Sequence, residues 1–105
     1  NSSPDEGDSH KDAITALVNH PKIPQEKVPA SKGGALNMPS NPNAKHHTAF
    51  WKMRADYVLP SKSGIQVIDS GVFWPTPNDA NYHLIASRKA SSDHRLVWVK
   101  LKLND

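Results

Sequence analysis

From Pro21 to Lys45 the chain carries five prolines, the pair Gly33-Gly34 and few large apolar residues. Proline fixes φ and donates no backbone hydrogen bond, so neither a long helix nor a central strand runs through this stretch. The sequence therefore predicts an extended, irregular connection over residues 21–45. A structureless run of that length is unusual inside a small domain, and marks a functional loop or a segment lying across a larger body. The whole chain has 105 residues, enough for one small domain and hardly two. Only 36% of it is hydrophobic and 7% aromatic, so the core is modest and the loop content high.

Regular structure must then fall on either side. Residues 1–11 are polar, turn-prone and aperiodic, and read as a loop. Asp12 to Asn19 place Ile14, Leu17 and Val18 at helical spacing. With Asp8 or Ser9 as cap and Pro21 closing the end, this predicts a short amphipathic helix with one buried stripe. After Thr48 the character changes. Phe50 to Leu59, rich in aromatic and branched residues and ending at Pro60, predicts a first strand. Ser61 to Gly64 form a tight polar connection. Ile65, Val67 and Ile68, then Val72, Phe73 and Trp74, predict a second strand, bulged near Ser70-Gly71. Pro75 to Ala90 is mostly loop. Leu96 to Leu103 alternates cleanly, which predicts a third strand with Val97, Val99, Leu101 and Leu103 buried and Trp98, Lys100 and Lys102 facing away. The order is loop, helix, long loop and three strands, an α+β arrangement.

Composition excludes several chemistries. Cysteine is absent, which removes disulfides, thiolate nucleophiles and cysteine-ligated zinc. No run of about 18 apolar residues is present to span a membrane as a helix. No charged-then-apolar signal segment opens the sequence, although a mature or excised fragment would have lost one. The net charge of +3 and pI near 9.3 suit a polyanionic substrate. Yet the lysines and arginines are scattered, as on an ordinary solvated surface.

Two segments carry candidate chemistry. Ser91-Ser92-Asp93-His94 sits just before the last predicted strand, where a histidine beside a carboxylate serves many hydrolases as an acid/base group. Taken alone, an Asp-His dipeptide is more often an inert surface pair. In Arg54-Ala55-Asp56-Tyr57 a carboxylate sits among apolar residues, where an unpaired charge is expensive. It is either exposed or partnered, and His94 on a neighbouring strand is a candidate partner. His46-His47 lack a further ligand at a familiar zinc spacing, and adjacent strand residues point apart. Asp5, Glu6 and Asp8 lack the ligand spacing of a calcium loop and read as a solvated acidic segment.

Taken in order, these pieces resemble the endonuclease/exonuclease/phosphatase family. Asn1-Ser2-Ser3-Pro4 with Gly7-Asp8-Ser9 looks like the continuation of that family's Gly-Asp-x-Asn motif, with Asn1 as its asparagine. Arg54 to Leu59 looks like its Arg-x-Asp-Tyr-hydrophobic strand, and Ser92-Asp93-His94 like its terminal Ser-Asp-His motif. Ser70 to Pro75 is similar to a stretch of a bacterial branch, which points to an exported bacterial protein. The resemblance covers most of the chain and is weakest over residues 21–45.

The resemblance implies a fold and a set of roles. The fold is a DNase I-like α/β sandwich of two sheets, of which residues 1–105 are the C-terminal half of a single domain. Its N-terminal half would be the missing partner, on this chain or a separate one. The activity is metal-dependent hydrolysis of phosphoester bonds in a phosphorylated substrate, nucleic acid included. His94 would contact the scissile phosphate and move a proton, and Asp56 would orient its imidazole. Asp93 would help hold the metal or the attacking water, and Asn1 would donate to the phosphoryl oxygens. The cofactor would be a divalent metal, magnesium or manganese. The sequence departs from the pattern in starting at the asparagine: the aspartate two residues earlier and the metal-binding glutamate of the N-terminal half are not in it. Two other readings remain open at this stage, a non-catalytic basic module binding nucleic acid or another polyanion, and a small β-rich domain without activity.

Overall fold

A computed structural model describes residues 1–7 and 11–104. Two of the three expected strands form. Strand β1 (Ile65–Phe73) pairs antiparallel with β2 (Leu96–Leu103), from Ile65 opposite Leu103 to Phe73 opposite Leu96. The register shifts between Val67 and Asp69, so the irregularity lies upstream of the expected Ser70-Gly71. Gly71 is instead regular and faces Trp98; a Cβ there would lie 2.6 Å from the indole. Glycine leaves the room that the ring occupies against the neighbouring strand.

The predicted first strand is absent as a strand. Thr48-Ala49 and Met53 close a tight turn, with Ala49 N donating to Met53 O at 3.1 Å and Lys52 at a positive φ of 73°. Beyond it the chain runs extended without a ladder partner among the described residues. The reason is local: the Ala55 and Asp56 amides donate to the Thr48 hydroxyl at 2.9 and 3.0 Å, a side-chain acceptor replacing the neighbouring strand.

Residues 21–45 are less irregular than expected. Helix α2 (Lys32–Asn37) starts at Ser31, whose extended backbone and hydroxyl, accepting from Gly34 N at 2.9 Å, make a regular N-cap. A short 3₁₀ turn follows at Ala44–His46. Gly33 is buried against Trp74, where a Cβ would meet the Trp74 carbonyl oxygen at 2.2 Å. The Gly-Gly pair that reads as loop in sequence is a contact surface.

Helix α1 (Asp12–Val18) forms where expected, but it buries no residue and Leu17 stays 50% exposed. The expected stripe is absent because a two-turn helix at the surface has little to pack against. Its proposed caps, Asp8 and Ser9, lie outside the described residues.

The core is small: Val72, Trp74 and Ile85, with Phe73 and Tyr82 against them, and Ala44, Ala49 and Met53 buried nearby. The face expected to be buried on β2 is only partly so. Val97 and Val99 are half-buried, whereas Leu101 and Leu103 are exposed, Leu103 at 74%. At that end Ile65 and Val67 on β1 are half-buried, and only the β2 leucines are left open. No helix is long and apolar enough to cross a membrane among the described residues.

Candidate active site

Thr48 organises the site. It is buried, held by its own amide to Met53 O at 3.0 Å and by its carbonyl, which accepts from Arg95 N at 2.6 Å. Its hydroxyl has one proton and two lone pairs. The lone pairs take the Ala55 and Asp56 amides, so the proton goes to Asp56 Oδ2 at 2.7 Å. The carboxylate is thereby fixed before it meets any other group.

Asp56 then holds His94. Imidazole Nδ1 lies 2.8 Å from Oδ2 and 3.0 Å from Oδ1. The two residues are not on adjacent strands: Asp56 is on the extended segment after the turn, and His94 bridges Ala49 just before β2. With Nδ1–H donated to the carboxylate, the neutral ring presents the Nε2 lone pair, the form a general base needs. Both side chains are about a third exposed, at 37% and 35%, so the site is reachable from solvent. Trp51 packs its ring edgewise on His94, with centroids 4.9 Å apart and planes at 85°. Sequence reasoning found Asp56 and His94 but missed Thr48 and Trp51; only their positions before and within the Ala49–Met53 turn reveal them.

Asp93, one of the other two candidates, pairs with a different residue. Asp93 Oδ2 meets Arg88 Nη2 at 3.1 Å, and the Asp93 carbonyl accepts from Phe50 N at 3.0 Å. Asn1 is exposed, one residue before Ser2, whose carbonyl accepts from Tyr57 Oη at 2.8 Å. Tyr57 Oη also reaches Arg54 O at 3.0 Å, and the Arg54 guanidinium lies 4.6 Å over the Tyr57 ring. The opening segment is thus tied to the Asp56 segment. Burial pushes the Tyr57 phenol up and the Arg54 guanidinium down from their ordinary values.

The histidine pair does not form a common site. His46 Nδ1 is 2.8 Å from Pro29 O, while His47 is fully buried. His47 Nε2 lies 3.3 Å from Glu6 Oε2, yet neither ring nitrogen is aligned for a hydrogen bond among the described residues. Glu6 also accepts from Asn41 Nδ2 at 3.0 Å, so this acid ties the opening segment to residue 41. Among the described residues no three His, Asp or Glu side chains converge as a metal site. Asp93 lies on Arg88 and Asp56 on His94, so among the described residues neither carboxylate is part of a cluster of three ligands.

Two hollows flank these elements. One of about 400 Å³ runs between α1, residues 23–29 and the extended segment, with Arg54 in its wall. The other, about 390 Å³, adjoins His94 and is walled by Phe73, Leu84, Ile85, Ser92 and Arg95.

The sequence model of the Endonuclease/Exonuclease/phosphatase family matches residues 1–94, ending on His94. No curated protein and no solved structure matches the chain.

Proposed function

The chain belongs to the endonuclease/exonuclease/phosphatase family, whose members generally hydrolyse phosphoester bonds, and from that premise we propose that His94 is its acid/base residue. The observation that carries this reading is the chain of bonds from Thr48 through Asp56 to His94 Nδ1. A carboxylate fixed in this way sets the tautomer and orientation of the imidazole and stabilises it when it takes a proton. Nε2 is left to face the phosphoester. Asp93 and Asn1 belong to the same site in this reading: the Asp93 carboxylate would exchange its ion pair with Arg88 for a metal or its water, and Asn1 would donate to a phosphoryl oxygen.

The family is generally dependent on a divalent metal. Magnesium or manganese is the cofactor of this reading, and Asp93 is the residue of the described ones that it assigns to the metal or its water. Residues 1–105 are then the C-terminal part of one two-sheet domain, and the exposed end of β1–β2 is where the rest of it packs.

The test is a steady-state assay of the intact protein with magnesium or manganese on bis-p-nitrophenyl phosphate, p-nitrophenyl phosphate and plasmid DNA. His94→Ala should lower turnover on the order of a hundredfold or more, as loss of a general acid/base group does. Asp56→Asn should lower it less, since the imidazole remains without its charged partner. Wild-type turnover by His94→Ala on every substrate that the protein cleaves would remove the role given to that residue.

A further inference from the structure

Trp51 lies outside the core formed around Val72, Trp74 and Ile85, and its indole is 37% exposed. Its ring packs on His94 instead: the centroids are 4.9 Å apart and the planes stand at 85°, the perpendicular arrangement that aromatic pairs favour. The backbone beneath the two rings is in register. Phe50 N donates to Asp93 O at 3.0 Å and Arg95 N donates to Thr48 O at 2.6 Å, one on each side of the Ala49–His94 bridge. Within the turn, Lys52 N donates to Ala49 O at 3.1 Å, and the positive φ of Lys52 brings the chain back so that Ala49 N reaches Met53 O. A non-glycine residue at positive φ persists only where its surroundings hold it. From the end of α2, Asn37 Nδ2 donates to Phe50 O at 3.1 Å. Trp51 is therefore fixed relative to the His94 backbone, although it sits on a surface turn.

The bond to Asp56 leaves the imidazole one freedom. Nδ1 is 2.8 Å from Oδ2 and 3.0 Å from Oδ1, so the carboxylate offers two nearly equivalent acceptors. A ring held at that one atom rocks from one oxygen to the other at little cost, because the last torsion of histidine is broad. Nε2, on the far side of the ring, moves with it. A perpendicular indole seated against the ring stops that motion by contact.

We propose that Trp51 is a positioning residue for His94: Asp56 sets the tautomer of the imidazole, and Trp51 holds its plane so that Nε2 keeps one direction. The inference rests on the acid/base role given to His94 above. Proton transfer depends on the distance and direction of the heavy atoms, and a shift of about 1 Å in a reacting group costs on the order of a hundredfold. Trp51 acts through His94 alone, so its loss belongs in kcat and not in KM.

The test is a double-mutant cycle in the intact protein, with Trp51→Leu and His94→Ala made alone and together. Turnover is read with magnesium or manganese on the p-nitrophenyl ester that the protein cleaves fastest. Trp51→Leu should lower kcat on the order of tenfold and leave KM within about twofold, the size of one aromatic contact with a modest loss of aim. Trp51→Phe keeps a flat ring at the same place and should recover most of that loss. In the His94→Ala protein, Trp51→Leu should change kcat by less than about twofold, because no imidazole is left to aim. A second readout needs no turnover: relaxation of the His94 ring carbons should show a more mobile imidazole in Trp51→Leu than in the wild type. Should Trp51→Leu not fold, Trp51→Gln, polar enough for a half-exposed turn, takes its place with the same expectations. Wild-type kcat in a folded variant without the ring overturns the proposal, as does an equal loss with and without His94. So does an unchanged mobility of the imidazole, or a raised KM at unchanged kcat, which would make Trp51 a substrate contact. The role of His94 fails by a different result, wild-type turnover of His94→Ala alone, and it would take the proposal with it.

Discussion

Thr48 shows how much one side chain can set at this site. Its hydroxyl satisfies two backbone amides and one carboxylate oxygen from a buried position. Thr48→Val keeps the shape but leaves those groups without their partner, a change that costs about 1–3 kcal/mol for a buried unsatisfied group. Beyond the stability loss, Asp56 is freed to turn away from His94. The expected outcome is a lower kcat with KM little changed, and recovery of most of it in Thr48→Ser, which restores the hydroxyl. Steady-state kinetics of the two variants checks this: a purely structural role for Thr48 predicts normal kcat once the folded fraction is corrected for. Tyr57 gives a second residue-scale expectation. Its phenol is raised by burial and donates to Ser2 O and Arg54 O, so the folded state prefers the protonated form. Stability from this group is complete below the unfolded tyrosine value of about 10 and is lost as pH rises through the higher folded value. Urea midpoints should therefore fall above about pH 10, and less steeply in Tyr57→Phe.

At the scale of elements, the two glycines that touch tryptophans separate propensity from packing. In a helix, Gly→Ala normally stabilises by about 1 kcal/mol. Gly33 lies in α2, but a Cβ there meets a backbone carbonyl at 2.2 Å and the buried Trp74 ring at 2.4 Å. Gly33→Ala should therefore destabilise, by roughly 1–3 kcal/mol or more, against the sign that propensity predicts. Gly71→Ala meets only the half-exposed Trp98 ring, which has room to swing, and should cost less. Urea denaturation of both variants orders the two; a stabilised Gly33→Ala would mean that α2 does not rest on Trp74. The same contrast explains what was legible. Period-two alternation located β2 from Leu96 to Leu103 and the apolar runs located β1, because both are set by local pattern. The Ser31 cap and α2 were hidden because Gly-Gly and five prolines dominate that stretch, and their reason lies in Trp74, about forty residues away in sequence. Phe50 to Leu59 reads as strand and runs extended after its turn, but a strand is a pairing and the described residues supply no partner.

For the whole molecule, the candidate site divides in the same way. Asp56 and His94 were legible as a pair because a carboxylate among apolar residues needs a partner, and the structure brings them to 2.8 Å. Asp93 was legible as the carboxylate beside His94, but its metal role, like the role of Asn1, came only through family resemblance; here Asp93 meets Arg88, and Asn1 opens the Tyr57-tethered segment. The described residues thus hold a hydrogen-bonded Asp56–His94 pair without a cluster of three metal ligands, and a two-stranded sheet with Leu96, Leu101 and Leu103 exposed at its surface. A lone hairpin is marginal in water, and three or more strands or a covering helix are what make such a sheet stable. Exposed branched residues on β2 are in keeping with a surface made to be covered. In catalysis by an assembly of metal, oriented water and histidine, parts do not contribute additively; one part without the others is worth little. The 105 residues purified alone are therefore expected to show no metal-dependent phosphoesterase activity above background, even where Asp56 and His94 keep their geometry. Two measurements on that fragment decide the matter together. A nuclear magnetic resonance cross-peak between Thr48 and His94 protons reports that the pair is assembled, and the p-nitrophenyl phosphate and plasmid assays with magnesium or manganese report turnover. An assembled pair without turnover is the expected result. Hydrolysis by the fragment, abolished by His94→Ala, would show instead that these residues suffice and that the incomplete-site reading is wrong.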